Sequence, residues 1–171
     1  IIDEKQLSVD AGNLVAKIYD ELAKAYSLHA DINDPKIQSS LNMLIVRLVF
    51  LLYADDTGIL GQENMFQKFL ERREPRDIRP ALITLFKTLD EDPEKGERDE
   101  FLDQEYLQFK YVNGGMFSDE NVIIPQFTQE LKDLIVNEAG KGFNWSNISP
   151  IIFGAVFEST LNSKLRREGG M

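Results

Sequence analysis

Along most of the chain, apolar residues return every three or four positions. From Ser8 to about Ala30, Leu14, Val15, Ile18, Leu22 and Ala25 share one side, while Lys17, Asp20, Glu21 and Lys24 lie largely on the other. That spacing predicts an amphipathic surface helix. Asn33-Asp34-Pro35 follows, a capping side chain and a proline suited to a first helical turn. The next helix, ending near Gly58, carries Ile37, Leu41, Leu44, Ile45, Leu48, Val49, Leu51 and Leu52 almost all round, so it belongs in the middle of the core. Gly58 suits a left-handed cap.

Met65, Phe66, Phe69 and Leu70 predict a short helix, and Ile78, Leu82, Leu85, Phe86 and Leu89 a longer one with Pro80 in its first turns. Asp90 to Glu100 reads as a solvated acidic loop, and Phe101, Leu102 and Tyr106 as a brief helical turn. Tyr111 to Phe117 has aromatic and β-branched residues around Asn113-Gly114-Gly115, a small hairpin or packed loop, with Val122 to Pro125 extended beside it. Helices are expected again at Phe127 to Glu138, with Leu131, Leu134 and Ile135 inward. Another should run from Ser149-Pro150 to about Arg167. The expectation is a mainly α bundle of about six helices, with at most one small β-hairpin or packed loop, forming a single domain over 1–171.

Composition narrows the possible chemistry. With 43% hydrophobic residues and eleven Phe in 171 residues, the chain has too much apolar surface for a disordered tail. The absence of Cys and the single His29 exclude disulfides, thiol nucleophiles and Cys/His zinc sites, and fit a cytoplasmic setting. The apolar run Leu41 to Ala54, broken by Asn42 and Arg47, falls short of the roughly 20 residues that cross a bilayer and reads as a core helix. Net charge is −10, and Asp90 to Glu105, with nine acids against Lys95 and Arg98, contributes −7 of it. Such a surface repels phosphates, so any DNA contact is expected to be weak and confined to Lys164, Arg166 and Arg167, or to Arg72, Arg73, Arg76 and Arg79.

No catalytic, cofactor-binding or metal-ligating residue is assigned. Asp119, Glu130 and Lys132 imitate a nuclease set, but the last two point to different faces of a helix. Asp90, Asp92 and Glu94 imitate a calcium loop that has Lys95 where Gly is needed and Phe101 where Glu is needed. No strand leads into a Gly-rich turn that could hold an adenosyl cofactor. The start at Ile1 and the abrupt end at Gly169-Gly170-Met171 suggest a piece of something larger.

Three stretches carry a resemblance. The first is Arg47-Leu48-Val49-Phe50-Leu51-Leu52-Tyr53-Ala54-Asp55-Asp56-Thr57-Gly58-Ile59. The second is Tyr111-Val112-Asn113-Gly114-Gly115-Met116-Phe117. The third runs Trp145-Ser146-Asn147-Ile148-Ser149-Pro150-Ile151-Ile152-Phe153-Gly154-Ala155-Val156-Phe157-Glu158. Together they resemble the helical spacer of MmeI-like, type IIL restriction–modification enzymes and their adenine-methylating relatives, over roughly Leu41 to the end. The resemblance implies a nuclease domain before the spacer and an S-adenosylmethionine-dependent methyltransferase with a target-recognition domain after it. Arg166-Arg167 before Gly169-Gly170 looks like the lead into that domain.

Within the motifs, packing accounts for the residue types. Asp55 and Asp56 close a buried helix, where carboxylates oppose the helix dipole and must be held by donors from elsewhere. Arg47 in that helix needs a partner, for which Glu158 is the candidate. Gly114 and Gly115 serve backbone geometry rather than phosphate binding. On the last helix, Ile151, Ile152, Phe153, Ala155, Val156, Phe157 and Leu161 cover more than half the circumference. Its first turns are therefore expected to be buried within this domain, and the part beyond Phe157 to dock on the methyltransferase domain. The alternative function is a stand-alone helical adaptor whose acidic face binds a basic protein.

Overall fold

The computed structural model describes residues 3–155 and residue 158. Helix α1 (Glu4–Ser27) starts where the Asp3 carboxylate accepts the N–H groups of Lys5 and Gln6. Its apolar stripe, from Ala11 through Leu14, Val15, Ile18 and Leu22 to Ala25, is buried as the periodicity requires. Helix α2 (Pro35–Thr57) begins with Asp34 capping Lys36 N–H and Pro35 in the first turn. It ends at Gly58, whose φ of 75° is left-handed.

α2 is the axis of the domain, with α1, α3 (Met65–Glu71) and the turn Trp145–Asn147 all packed against it. At 23 residues it is long and apolar enough to cross a membrane. Length therefore does not exclude a span, contrary to the reading of the interrupted run Leu41 to Ala54. What separates it from one is that most of the helix is buried inside this domain. Helix α4 (Pro75–Leu89) starts earlier than its apolar positions imply, because Pro75 occupies its first turn. Pro80 lies inside it, and Ile78, Leu82, Leu85 and Leu89 are buried.

A short helix α5 (Gln104–Leu107) precedes a long irregular stretch. No strand occurs among the described residues, so the aromatic segment at 111–117 is a packed loop and not a hairpin. Its backbone is pinned by single bonds, Lys110 N–H to Leu60 O at 3.0 Å and Val112 N–H to Leu89 O at 2.9 Å. Phe109, Val112, Phe117, Ile124 and Phe127 point into the core and anchor it. Apolar residues spaced for burial at single points satisfy this stretch without a strand partner.

Helix α6 (Gln129–Asp133) widens into a π-helical segment, Leu134–Lys141, that continues the same inward face. Two contacts mark the wider winding. Gly142 N–H donates to Asn137 O at 2.8 Å, five residues back, and the Trp145 indole N–H donates to the Ala139 carbonyl at 2.8 Å. A Cβ on Gly140 would lie 2.8 Å from Ile135 O, which only glycine avoids. Residues 150–155 are again helical, with Ser149 Oγ accepting Ile152 N–H at 3.2 Å.

Candidate functional site

The motif residues converge on two junctions along α2, one at its C-terminal end and one near its middle, and both are built from charged side chains holding backbone. At the C-terminal junction, Asp55 is 2% exposed and its two oxygens accept the N–H groups of Phe66 and Gln67, both at 2.8 Å. The last turn of α2 thereby caps the first turn of α3, supplying the donors the sequence demanded. α3 needs the help. Its own cap residue, Asn64, is left-handed at φ 63° and makes no side-chain cap bond. Burial pushes the Asp55 carboxyl up to about 6, the two N–H donors and Lys68 pull it down, and Asp56 raises it further.

Asp56 turns the other way and accepts Trp145 N–H at 2.7 Å, joining α2 to the turn that follows the π-helical segment. Partial burial raises its carboxyl above the usual range, against the pull of that N–H. Trp145 is itself buried, edge-on to Phe143 with centroids 4.7 Å apart. Adjacent aspartates thus fix two separate segments to one helix end.

The second junction is Arg47, 2% exposed. The carboxylate expected to pair with it is not Glu158, which is exposed. Instead Arg47 Nε donates to Met116 O and Nη2 to Asp119 O, both at 3.0 Å. The guanidinium also lies 5.2 Å from the Phe86 ring centroid and 5.5 Å from that of Phe117. A planar, weakly hydrated cation can be satisfied by carbonyls and ring faces, which a helical register cannot reveal. Burial lowers its pKa, while Asp119 and Asp90 oppose that shift at longer range.

Arg47 fixes the loop that holds Asn113. The Asn113 Oδ1 accepts Gly114 N–H at 2.9 Å and the Tyr111 hydroxyl at 3.3 Å, while Gly114 and Gly115 take φ of 107° and 79°. These glycines serve the turn, as expected. Gly114 N–H is spent on Asn113, and Gly115 O accepts both the N–H and the hydroxyl of Ser118, so the two glycines are tied into the turn itself.

In the third motif, Ser149 and Pro150 start the final helix and Phe153 sits edge-on to Tyr53. Its first turn departs from expectation. Ile151 is 85% exposed, Ala155 and Gly154 are exposed, and only Ile152 and Phe153 pack against the core. Uncovered apolar surface therefore begins at Ile151 rather than beyond Phe157. Val156, Phe157, Leu161, Lys164, Leu165, Arg166 and Arg167 lie outside the described residues.

The other basic patch is largely committed to structure. Arg73 grips Glu105 with both terminal nitrogens at 2.7 and 2.8 Å, holding that carboxyl below its usual range, and stacks 4.0 Å from the Phe69 centroid. Arg72 reaches the same carboxylate at 3.4 Å, and Arg79 Nε donates to Ile124 O at 2.7 Å. Arg76, the last of the four, is exposed. The nuclease-like trio is dispersed: Asp119 closes its own loop on Asn121 N–H, and Lys132 donates to the carbonyls of Glu71 and Arg73. Among the described residues, no three acidic or histidine side chains converge as a metal site.

Sequence reasoning missed Arg98, which lies in the acidic run. Its Nε donates to the carbonyls of Thr88 and Glu91, and its Nη1 to those of Leu107 and Phe109, at 2.7 to 3.2 Å. No periodicity marked it.

Comparison with known proteins agrees with the motifs. Residues 39–117 match the family model described as the MmeI helicase spacer domain. DNA methyltransferase A of Bacillus subtilis (strain 168) is 29% identical over 171 residues, covering 98% of this chain and 18% of that protein. A structure of the type IIL restriction–modification enzyme MmeI in complex with DNA is similar with a TM-score of 0.69 and 28% identity, over 97% of this chain and 20% of that one. The chain thus spans about a fifth of the length of the relatives it matches.

Proposed function

We infer that this chain, which has the sequence and the fold of an MmeI-type helical spacer, is the spacer segment of a bacterial, cytoplasmic, site-specific DNA methyltransferase of the restriction–modification class. In this reading the complete protein uses S-adenosylmethionine to methylate the exocyclic amine of adenine. A nuclease part precedes the spacer and the methyltransferase and target-recognition parts follow. The observation that carries the reading is likeness along almost the whole chain to a segment forming a fifth of a DNA-bound restriction–modification enzyme.

The buried junctions on α2 contribute rigidity rather than chemistry. Asp55, Asp56 and Arg47 tie α3, the Trp145 turn and the 111–119 loop to a single helix, so that these segments hold a fixed relation to one another. In this reading the cofactor and the reacting base are held by the methyltransferase part and not by this segment.

The complete reading frame, expressed and incubated with S-adenosylmethionine and DNA, should yield N6-methyladenine by mass spectrometry. The 1–171 chain alone should yield none and should show no saturable cofactor binding by calorimetry. A reading frame without a cofactor loop or an Asn-Pro-Pro-aromatic motif would overturn the assignment.

A further inference from the structure

The acidic run Asp90 to Glu100 reads in the sequence as a solvated loop, and the structure gives it, and the stretch on to Glu105, a defined shape. Arg98 is turned inward on four carbonyls, two from the end of α4 and its following turn and two from the end of α5 and beyond. Asp92 caps the turn Pro93–Lys95, and Glu97 accepts Asp92 N–H at 2.7 Å. With Arg98 spent inside and Glu105 held by Arg73, eight carboxylates remain on this lobe against one outward cation, Lys95.

Phe101 stands on that lobe 97% exposed, between Asp99, Glu100 and Asp103, which are exposed as well. Its backbone is fixed, since Phe101 N–H bonds Asp99 Oδ1 at 2.9 Å. A fully hydrated aromatic ring within a fixed acidic rim has the anatomy of an interface anchor. The surrounding charge selects what can cover it. Nucleic acid phosphates and a second copy of this chain, at −10, are both repelled. A lysine- and arginine-rich protein surface is attracted.

We propose that the 90–103 lobe docks on a basic surface of another domain of the same complete protein, with the Phe101 ring seated in an apolar socket there. The proposal rests on the spacer reading for the existence of that domain, and the lobe would help fix the spacer's orientation against it.

The test places the photo-cross-linker p-benzoylphenylalanine at position 101 of the complete protein, where exposure leaves room for it. A control probe goes at Ile83, exposed on α4. Irradiation followed by peptide mass spectrometry should give an intramolecular cross-link from 101, absent from 83, to a Lys/Arg-rich peptide outside the spacer. Replacing Asp99→Asn, Glu100→Gln and Asp103→Asn together, or raising salt, should cut its yield several-fold. Cross-links to DNA, to a second copy, to another protein or to an uncharged segment would overturn the proposal, as would none at all. Methylation measured on the same sample separates the two failures. A protein that methylates DNA but does not cross-link at 101 loses the docking lobe and keeps its spacer. A reading frame without a methyltransferase part takes down the spacer assignment itself.

Discussion

Arg47 and Arg98 solve the same problem in two regions of opposite appearance. Each turns a guanidinium onto backbone carbonyls of an irregular segment that has no ladder of its own. Arg47 does so from the interior of the most apolar helix, roofed by Phe86 and Phe117. Arg98 does so from the most acidic stretch of the chain and is only partly buried. A single cation with several fixed donors can replace the secondary structure that neither loop possesses. The difference is in what surrounds it. The Arg47 side chain is itself buried, at 2% exposed, whereas that of Arg98 is only partly covered.

That contrast ranks the outcomes of breaking each site. Arg47→Ala should cost the most, about 3–5 kcal/mol, because it removes a fully buried side chain, leaves a cavity beside two phenyl rings and strips two part-buried carbonyls of their donor. Chemical denaturation of the 1–171 chain would measure it. Arg47→Lys should recover little, since one ammonium cannot span both carbonyls with the ring contacts. A loss under about 1 kcal/mol would show that the two sites do not differ as described. Arg98→Ala should cost about 1–3 kcal/mol, because water can satisfy some of the four carbonyls. Its signature is local: hydrogen exchange should rise in 90–109 and leave α1 and α2 unchanged.

How much of this was legible follows from the period of the signal. α1, α2 and the α3–α4 pair have apolar residues at helical spacing, and their burial matches it. The need for donors at Asp55 and Asp56 was legible too, because a carboxylate at a buried helix C-terminus is unfavourable unless held. The identity of those donors was not. The N–H groups of Phe66, Gln67 and Trp145 lie 11 to 89 positions away and are backbone groups, which every residue type presents. The Arg47–Glu158 pairing failed for the same reason, since carbonyls leave no mark in a sequence. Arg98 was hidden by its acidic neighbours, and the π-helical winding at Leu134–Lys141 by an apolar pattern that also fits an α-helix.

Asp55 offers a second comparison, between a buried carboxylate and the exposed ones of the lobe. Its folded pKa, about 6, lies above the ordinary 3.8, so between those values the folded state holds the proton more tightly than the unfolded one. Its contribution to stability is therefore fully present below about pH 4 and falls as pH rises through about 6. The two N–H bonds keep the full swing to roughly 2–3 kcal/mol or less. Asp55→Asn removes this titration, so its destabilisation relative to the parent should be larger at pH 4 than at pH 7. A carboxyl resonance for Asp55 titrating near 4 by NMR would refute the burial argument.

The smallest expected effect is the most informative about the lobe. Phe101→Ala removes a large aromatic side chain, and at a core position such as Phe66 or Phe109 that change costs about 3–5 kcal/mol. At 97% exposure there is no cavity to leave and no apolar contact to lose, so the stability of the 1–171 chain should change by no more than about 0.5 kcal/mol. Arg98→Ala unfastens the same lobe from within, so the two substitutions separate what holds the lobe from what the lobe presents. In the isolated chain Arg98 should matter and Phe101 should not. If Phe101→Ala lowers the stability of the isolated chain by 1 kcal/mol or more, the ring is packed on its own domain in solution and the lobe has no free anchor to offer.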